Sequence, residues 1–148
     1  MPVTIRLLGH DEAAVLENVA EDVFDHAIDP RWCAEFFADS RHHLVVALDD
    51  DLVVGMASGV HYVHPDKAPQ LFINEVAVTP TYHGQGIGRR LVAMLVAHGE
   101  ALGCGEAWVL TSLDNEPAKR MYRAAGAIPD EELSIMFTYR VRPRRDDG

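Results

Sequence analysis

Few features of this chain would assign it at once. Among 148 residues there are two cysteines, Cys33 and Cys104, far apart and without metal-type spacing. That excludes a disulfide framework and a thiolate metal centre and leaves both as small buried hydrophobes. No run of about 18 apolar residues occurs, as a membrane-spanning helix would need. The N-terminus carries no basic-plus-apolar leader, so the expectation is a soluble, cytoplasmic protein. Bases are scarce: 13 Lys and Arg against 23 Asp and Glu give a net charge of −10. A surplus of that sign disfavours nucleic acid and anionic membrane as partners. Repeats, linkers and low-complexity segments are also missing, and the length suits one domain over residues 1–148, with 142–148 a frayed tail.

The charge that is present is unevenly placed. Residues 1–70 carry 13 acids and 4 bases, whereas residues 71–148 carry 10 acids and 9 bases. An acidic first half suits a cationic ligand and a near-neutral second half can hold an anionic one; ordinary solubility charge is the bland reading.

Periodicity predicts a first strand over Val3–Leu8 and a helix capped by Asp11 with Ala14, Val15, Val19 and Val23 or Phe24 on one side. A short helix follows Asp29-Pro30, with Trp32, Phe36 and Phe37 turned inward. Leu44–Leu48 and Leu52–Val63 read as a hairpin joined by Asp49-Asp50-Asp51, and Gly55 and Gly59 in its second strand point to a bulge or a close backbone approach. Further on come a strand from Leu71, a helix over 88–102 with Leu91, Leu95, Val96 and Leu102 inward, and a strand over Ala107–Leu110. A helix capped by Asn115 or Asp114, with Pro117 in its first turn, ends at Gly126, and a last strand spans Leu133–Val141. This order implies helices on a mixed sheet, an α/β (α+β) architecture in three layers.

The organising stretch is LFINEVAVTPTYHGQGIGRR, Leu71 to Arg90. An apolar strand interrupted by Asn74 and Glu75 stops at Thr79-Pro80, and a turn containing Gly84, Gly86 and Gly88 opens directly into a helix. Strand, glycine turn and helix N-terminus together make an anion site, because unpaired backbone N–H groups converge at the positive end of the helix dipole. No Lys-Ser/Thr follows Gly88, which excludes a Walker loop. Gly84-Gln85-Gly86-Ile87-Gly88 is one residue short of a dinucleotide fingerprint. What remains is a phosphate cradle of another kind, with Arg89 and Arg90 to add charge, or a loop that merely turns the chain. A metal site is not expected: His61 and His64 face opposite ways on one strand, as do His42 and His43.

The pattern HGQGIG after NEVAVTPTY, followed by DNEPAKRMYRAAGA, resembles the GNAT N-acetyltransferases in motif and element order from Thr4 to Tyr139. The resemblance implies a mostly antiparallel mixed sheet splayed at its fourth strand and flanked by helices on both faces. It implies acetyl-CoA as co-substrate, its pyrophosphate cradled by His83, Gly84, Gln85, Gly86, Ile87, Gly88 and Arg89, with His83 where the family has Arg or Gln. Val76, Ala77 and Val78 would line pantetheine. Asn115 and Ala118 would meet the cofactor amides, and Lys119, Arg120 or Arg123 the outer phosphates. Tyr122 stands at the family's general acid. The resemblance also allows a homodimer, since many relatives pair through edge strands.

The chemistry then assigns roles. An alkyl amine attacks a thioester only when neutral, yet is mostly protonated at pH 7. A carboxylate shielded by apolar neighbours has a raised pKa suited to taking that proton, and Glu75, amid Ile73, Val76 and Ala77, is the candidate. Tyr122 would protonate the leaving thiolate and the Val76 N–H would meet the oxyanion. Neither cysteine lies near these motifs, so direct attack in a ternary complex is expected.

For the acceptor, DVFDHAID at 22–29, with the shared strand and helix motifs, resembles the aminoglycoside 3-N-acetyltransferases. Asp25, Asp29, Glu75 and Glu132 would then hold ammonium groups, although Ser134–Tyr139 lacks the acidic residue of the corresponding strand in those enzymes. The rival readings are transfer to another amine, such as a polyamine, an amino acid or a protein amino group, and a non-catalytic acyl-CoA-binding domain.

Overall fold

The computed structural model describes residues 2–143. One five-stranded sheet runs in the order β1 (Thr4–Leu7), β2 (His42–Asp49), β3 (Leu52–Tyr62), β4 (Gln70–Val78) and β5 (Glu106–Val109). The first three pairings are antiparallel and the last, β4 with β5, is parallel. Three α-helices accompany it: α1 (Pro30–Ala38), α2 (Ile87–Ala101) and α3 (Glu116–Ala124). The architecture is the expected mixed, mostly antiparallel sheet between helical layers.

Alternation along the strands divides the core between the two faces. Val45, Ala47, Val54, Ala57, Leu71 and Ile73 pack with Leu91, Val92 and Leu95 of α2. On the opposite face Leu44, Val46, Val53 and Met56 pack with Leu8, Leu16, Val23 and Phe37. Leu71, Leu91 and Leu95 are fully buried, each contributing about 2 kcal/mol of transfer free energy before its entropic cost. Helix and sheet come close because glycines allow it. A Cβ on Gly59 would lie 3.3 Å from Leu95 Cδ2 of α2, and one on Gly55 3.2 Å from Leu91 Cδ1. The close approach expected at these two positions is therefore present, and β3 carries its register shift between Ser58 and Gly59.

Other expectations are corrected. The helix starting at Asp11 is only a 3-10 turn, Ala13–Glu17. Beyond it the backbone leaves the helical path: the Val53 N–H donates to Asn18 and the Ala20 N–H donates to Val53, both at 2.9 Å. These sheet contacts override a weak helical periodicity. Trp32 faces solvent at 58% exposure, with the Arg31 guanidinium 4.2 Å above its ring; Phe37 is buried and Phe36 partly so. Val96 and Leu102 lie at the solvent margin of α2, since Leu91, Leu95 and Gly99 already fill the sheet-facing stripe. Residues 133–141 form no strand and are exposed throughout. An alternating strand persists only when its apolar face is covered, and among the described residues this face is exposed. Of the expected frayed tail, Arg142 and Pro143 have no regular structure, and 144–148 lie outside the described residues.

At the far end of the sheet His98 Nε2 lies 3.1 Å from His43 Nδ1, and His43 Nε2 lies 2.7 Å from His61 Nδ1. The three rings form a hydrogen-bonded row. Among the described residues no group of three or more His, Cys, Asp or Glu is disposed to hold a metal ion. Burial first, then the neighbouring His98 and His61, lowers the His43 pKa from 6.5 to about 4; burial also lowers that of His98. Between these values the unfolded chain binds more protons than the folded one, so stability is lost as pH falls below about 6.5. Denaturant unfolding should show a loss of roughly 1–2 kcal/mol from pH 7.5 to pH 5, and His43→Gln should flatten that slope.

Candidate active site

The site originates where β4 leaves β5. Against β3 the strand is paired along its length, but against β5 it is paired only over Gln70–Ile73. Asn74 is the extra residue of a bulge, because Ile73 opposes Gly59 while Glu75 opposes Ser58. Bulges bend a strand and end its pairing. From here on, the β5 side of Val76, Ala77 and Val78 has no strand beside it, which is the expected splay, and all three residues are partly buried.

The glycine turn closes directly below this gap. The Thr79 N–H donates to Val54 at 2.8 Å, and a 3-10 turn over Pro80–Tyr82 follows. The Tyr82 hydroxyl donates to Asp49. His83 Nε2 donates to the Val78 carbonyl at 2.7 Å. That bond ties its Nε2 to the turn. Gly84 and Gly86 have φ of 78° and 74°, and a Cβ on either would meet nothing within 4 Å. Their need for glycine comes from the left-handed backbone, and the space around them stays open. The first intrahelical bond of α2 runs from the Arg90 N–H to Gly86 at 3.2 Å, so the N–H groups of Ile87, Gly88 and Arg89 stand without intrahelical partners. Exposed Gln85 and partly buried Gly88 complete the loop. Arg90 donates to Val3 at 3.3 Å, which leaves exposed Arg89 as the nearer source of charge.

Helix α3 stands beside the gap. Asn115 is its N-cap, accepting from the Ala118 N–H at 3.2 Å, so that N–H is already used and the Asn115 amide NH₂ is what remains for a ligand. Lys119 Nζ donates to Leu113 and to Glu116, both at 3.0 Å, a local anchorage rather than a side chain extended toward phosphate. Arg120 and Arg123 are exposed. Tyr122 is partly buried in the cluster on the α2 face, together with Val76, Val78 and Met121. Burial raises its pKa, so the hydroxyl keeps its proton at neutral pH.

Glu75 departs from expectation. Ile73, Val76 and Ala77 do not enclose it; the bulge leaves it exposed, so shielding from solvent is not what would equip it as a base. It shares a sheet face with Ala77, which packs against the second core cluster. Glu75 and Tyr122 thus approach the gap from opposite faces of the sheet.

On the Glu75 face the loop over 18–28 opens into a cavity of about 700 Å³. Among its lining residues are Glu17, Glu21, Asp22, Asp25 and His26, over an apolar floor that includes Leu16 and Phe24. Of the four carboxylates assigned to an ammonium ligand, Asp25 lines this cavity and Glu75 lies on its side of the sheet. Asp29 instead caps α1, accepting from the Arg31 N–H at 2.9 Å. Glu132 is exposed in the C-terminal segment and is not brought here. Glu17, Glu21 and Asp22 come to the cavity because residues 18–20 leave the helical path to bond Val53. Cys33 and Cys104 are free, and burial raises the pKa of both.

Residues 11–127 match the model of the acetyltransferase (GNAT) family. The chain belongs to that family. A diaminobutyric acid acetyltransferase of Oceanobacillus iheyensis is 34% identical over 62% of this chain and 48% of its own. An uncharacterised protein of Mycobacterium leprae is 32% identical over 84% of this chain and 34% of its own. This chain thus spans half or less of the length of those two relatives. An aminoglycoside 6′-acetyltransferase of Salmonella typhimurium is 28% identical over 66% of this chain and 68% of its own. Among solved structures, an aminoglycoside acetyltransferase from an uncultured soil sample superposes with a TM-score of 0.78 at 20% identity, over 95% of this chain and 97% of its own. At that identity the likeness is one of fold. Among the described residues no helix is long and apolar enough to cross a membrane.

Proposed function

We propose that this GNAT chain transfers acetyl from acetyl-CoA to a primary amine of a small polycationic acceptor, an aminoglycoside, by direct attack in a ternary complex. What supports the reading is the presence of two unlike features on opposite faces of one sheet. One is an anion cradle whose Gly84 and Gly86 leave open the space a Cβ would occupy. The other is a cavity edged by four carboxylates on the opposite face. An anionic donor and a cationic acceptor would meet at the gap between β4 and β5.

The donor would supply an activated acetyl thioester. The chain's own groups do the rest. The orphan N–H groups of Ile87, Gly88 and Arg89 hold phosphate, and backbone on the open side of Val76–Val78 aligns the pantetheine arm. Glu17, Glu21, Asp22 and Asp25 collect the acceptor's ammonium groups. Glu75, open to solvent at the bulge, takes a proton from the attacking amine directly or through one water. Tyr122 gives its proton to the departing sulfur. We place such an enzyme in the cytoplasm, with drug resistance as its consequence.

The second reading, transfer to a small diamine or amino acid, is favoured by the diaminobutyric acid acetyltransferase among the relatives. Free-thiol release from acetyl-CoA, measured with aminoglycosides, polyamines, 2,4-diaminobutyrate and peptides, separates them. Aminoglycosides should lead by about tenfold or more in kcat/KM, with the lead shrinking as salt screens the cavity. A lead by diaminobutyrate would transfer the assignment, and no turnover with any amine would sink it. NMR of the product would settle whether the 3-amino group or the 6′-amino group is acetylated.

A further inference from the structure

Between the end of β4 and the first turn of α2 the chain passes through Gly84, Gly86 and Gly88, the residue type with the most backbone freedom. Gly84 and Gly86 have left-handed φ, and an added Cβ at either would meet nothing within 4 Å. With Gln85 between them they are exposed. A loop of this composition, left to itself, samples many arrangements. Only a few of them converge the orphan N–H groups of Ile87, Gly88 and Arg89 on one point. The shape of the cradle therefore has to be imposed from its two ends.

Both ends are tied to one place. Before the glycines, the Tyr82 hydroxyl donates to the Asp49 carboxylate. After them, the Arg90 guanidinium donates to the Val3 carbonyl at 3.3 Å. Asp49 ends β2 and opposes Leu52 across the tight turn Asp50-Asp51, in which Asp50 takes φ of 51°. Aspartate is among the few residues that accept that conformation. Val3 precedes Thr4, which opposes Leu48, so the two acceptors occupy neighbouring positions at one margin of the sheet. Tyr82, Val3 and Leu52 all pack on the α2-face cluster. The hydrogen bond to Asp49, first among the causes, raises the Tyr82 pKa, so the phenol remains a donor at neutral pH.

Resting on the reading of the cradle as the acetyl-CoA site, we infer that Asp49 and Tyr82 are positioning residues for the donor. Their hydrogen bond, with that of Arg90 to Val3, clasps the glycine loop to the β1–β2 margin and presets the cradle before the cofactor arrives. The clasp acts through the loop rather than on the cofactor. When a loop is competent for only part of the time, apparent affinity falls by that fraction with the bound contacts unchanged. The effect belongs to donor binding and not to acyl transfer, because Glu75 and Tyr122 stand on β4 and α3. It also separates Asp49 from Asp50 and Asp51, which are exposed where Asp49 is partly buried. Charge alone makes the opposite forecast, since removing an acid beside an anion site should tighten it.

Calorimetric titration of acetyl-CoA into the full chain, beside steady-state kinetics and a thermal melt, tests the clasp. Tyr82→Phe and Asp49→Ala should each weaken acetyl-CoA binding and raise its KM by about tenfold, with kcat at saturation unchanged. The double variant should lose the same factor rather than roughly a hundredfold, because either substitution opens the one clasp. Asp49→Asn keeps an acceptor for the phenol and should stay within about threefold of wild type. Asp51→Ala, which removes the same charge without the bond, should show no loss. Tyr62→Phe takes a hydroxyl from the bonds to Gln70 and Trp108 elsewhere on the sheet; it should lower the thermal midpoint and leave acetyl-CoA affinity alone. Wild-type affinity in both Tyr82→Phe and Asp49→Ala overturns the inference, as do additive losses in the double variant or an equal loss in Tyr62→Phe. A wild-type chain that binds no acetyl-CoA would instead defeat the donor-site reading, and the clasp with it.

Discussion

Tyr122→Phe is expected to lower turnover by about 10²-fold while leaving acetyl-CoA affinity and thermal stability nearly unchanged, the low end for loss of a general acid. The substitution removes one oxygen from a ring whose packing against the buried cluster on the α2 face it preserves. No side-chain hydrogen bond of the hydroxyl is present to be lost among the described residues, so folding should not register the change. Because burial raises the phenol's pKa, the wild-type enzyme should hold its activity through the alkaline range in which an ordinary tyrosine starts to ionise. The acid therefore stays loaded wherever the amine is neutral enough to attack. A loss of about 2.7 kcal/mol in transition-state stabilisation, confined to kcat, would fit proton donation to sulfur. A wild-type rate would remove Tyr122 from the mechanism and leave it as packing.

Much of this site was legible because its parts are made by local rules. Asp29-Pro30 and Asn115 with Pro117 announce helix starts by residue type, and both carboxyl or amide oxygens cap their helices as that chemistry requires. Gly55 and Gly59 announce close packing because no other residue leaves the room. The parts that were not legible depend on neighbours distant in sequence. Ala14, Val15, Val19 and Val23 or Phe24 have helical spacing, but Asn18 and Ala20 bond Val53, and the chain beyond them lines the acidic cavity instead. Glu75 sits amid apolar letters, yet the Asn74 bulge turns it to solvent, and a bulge comes from mismatched pairing with Ser58 and Gly59 rather than from any residue in the run. His83 occupies a motif position associated with phosphate, but its ring bonds Val78. The segment 133–141 was read as a strand from its own alternation, which is a property of the segment; pairing is a property of whatever lies beside it.

Within one motif the glycines should separate by mutation. Gly86→Val is expected to reduce kcat/KM for acetyl-CoA by about 10²-fold with the fold retained, whereas Gly88→Ala should stay within about threefold of wild type. At Gly86 the backbone has φ of 74° and serves as the N-cap of α2. A β-branched residue there meets the left-handed penalty of roughly 1–2 kcal/mol, which the loop can relieve only by rotating away from the helix start. That rotation would misalign the N–H groups of Ile87 and Gly88, and the new side chain would enter the open space reserved for phosphate. Protein atoms would not clash, since nothing lies within 4 Å of the added Cβ, so the thermal midpoint should move little. Gly88 has no positive φ, and an added Cβ would sit 3.7 Å from Met121, an ordinary contact. Alanine also favours helix at that position. The measurement is a pair of acetyl-CoA titrations, by kinetics and by direct calorimetric binding, beside a thermal melt. Equal effects at the two positions would mean that the loop tolerates any turn residue, and wild-type affinity in Gly86→Val would dismiss the backbone cradle as the donor site.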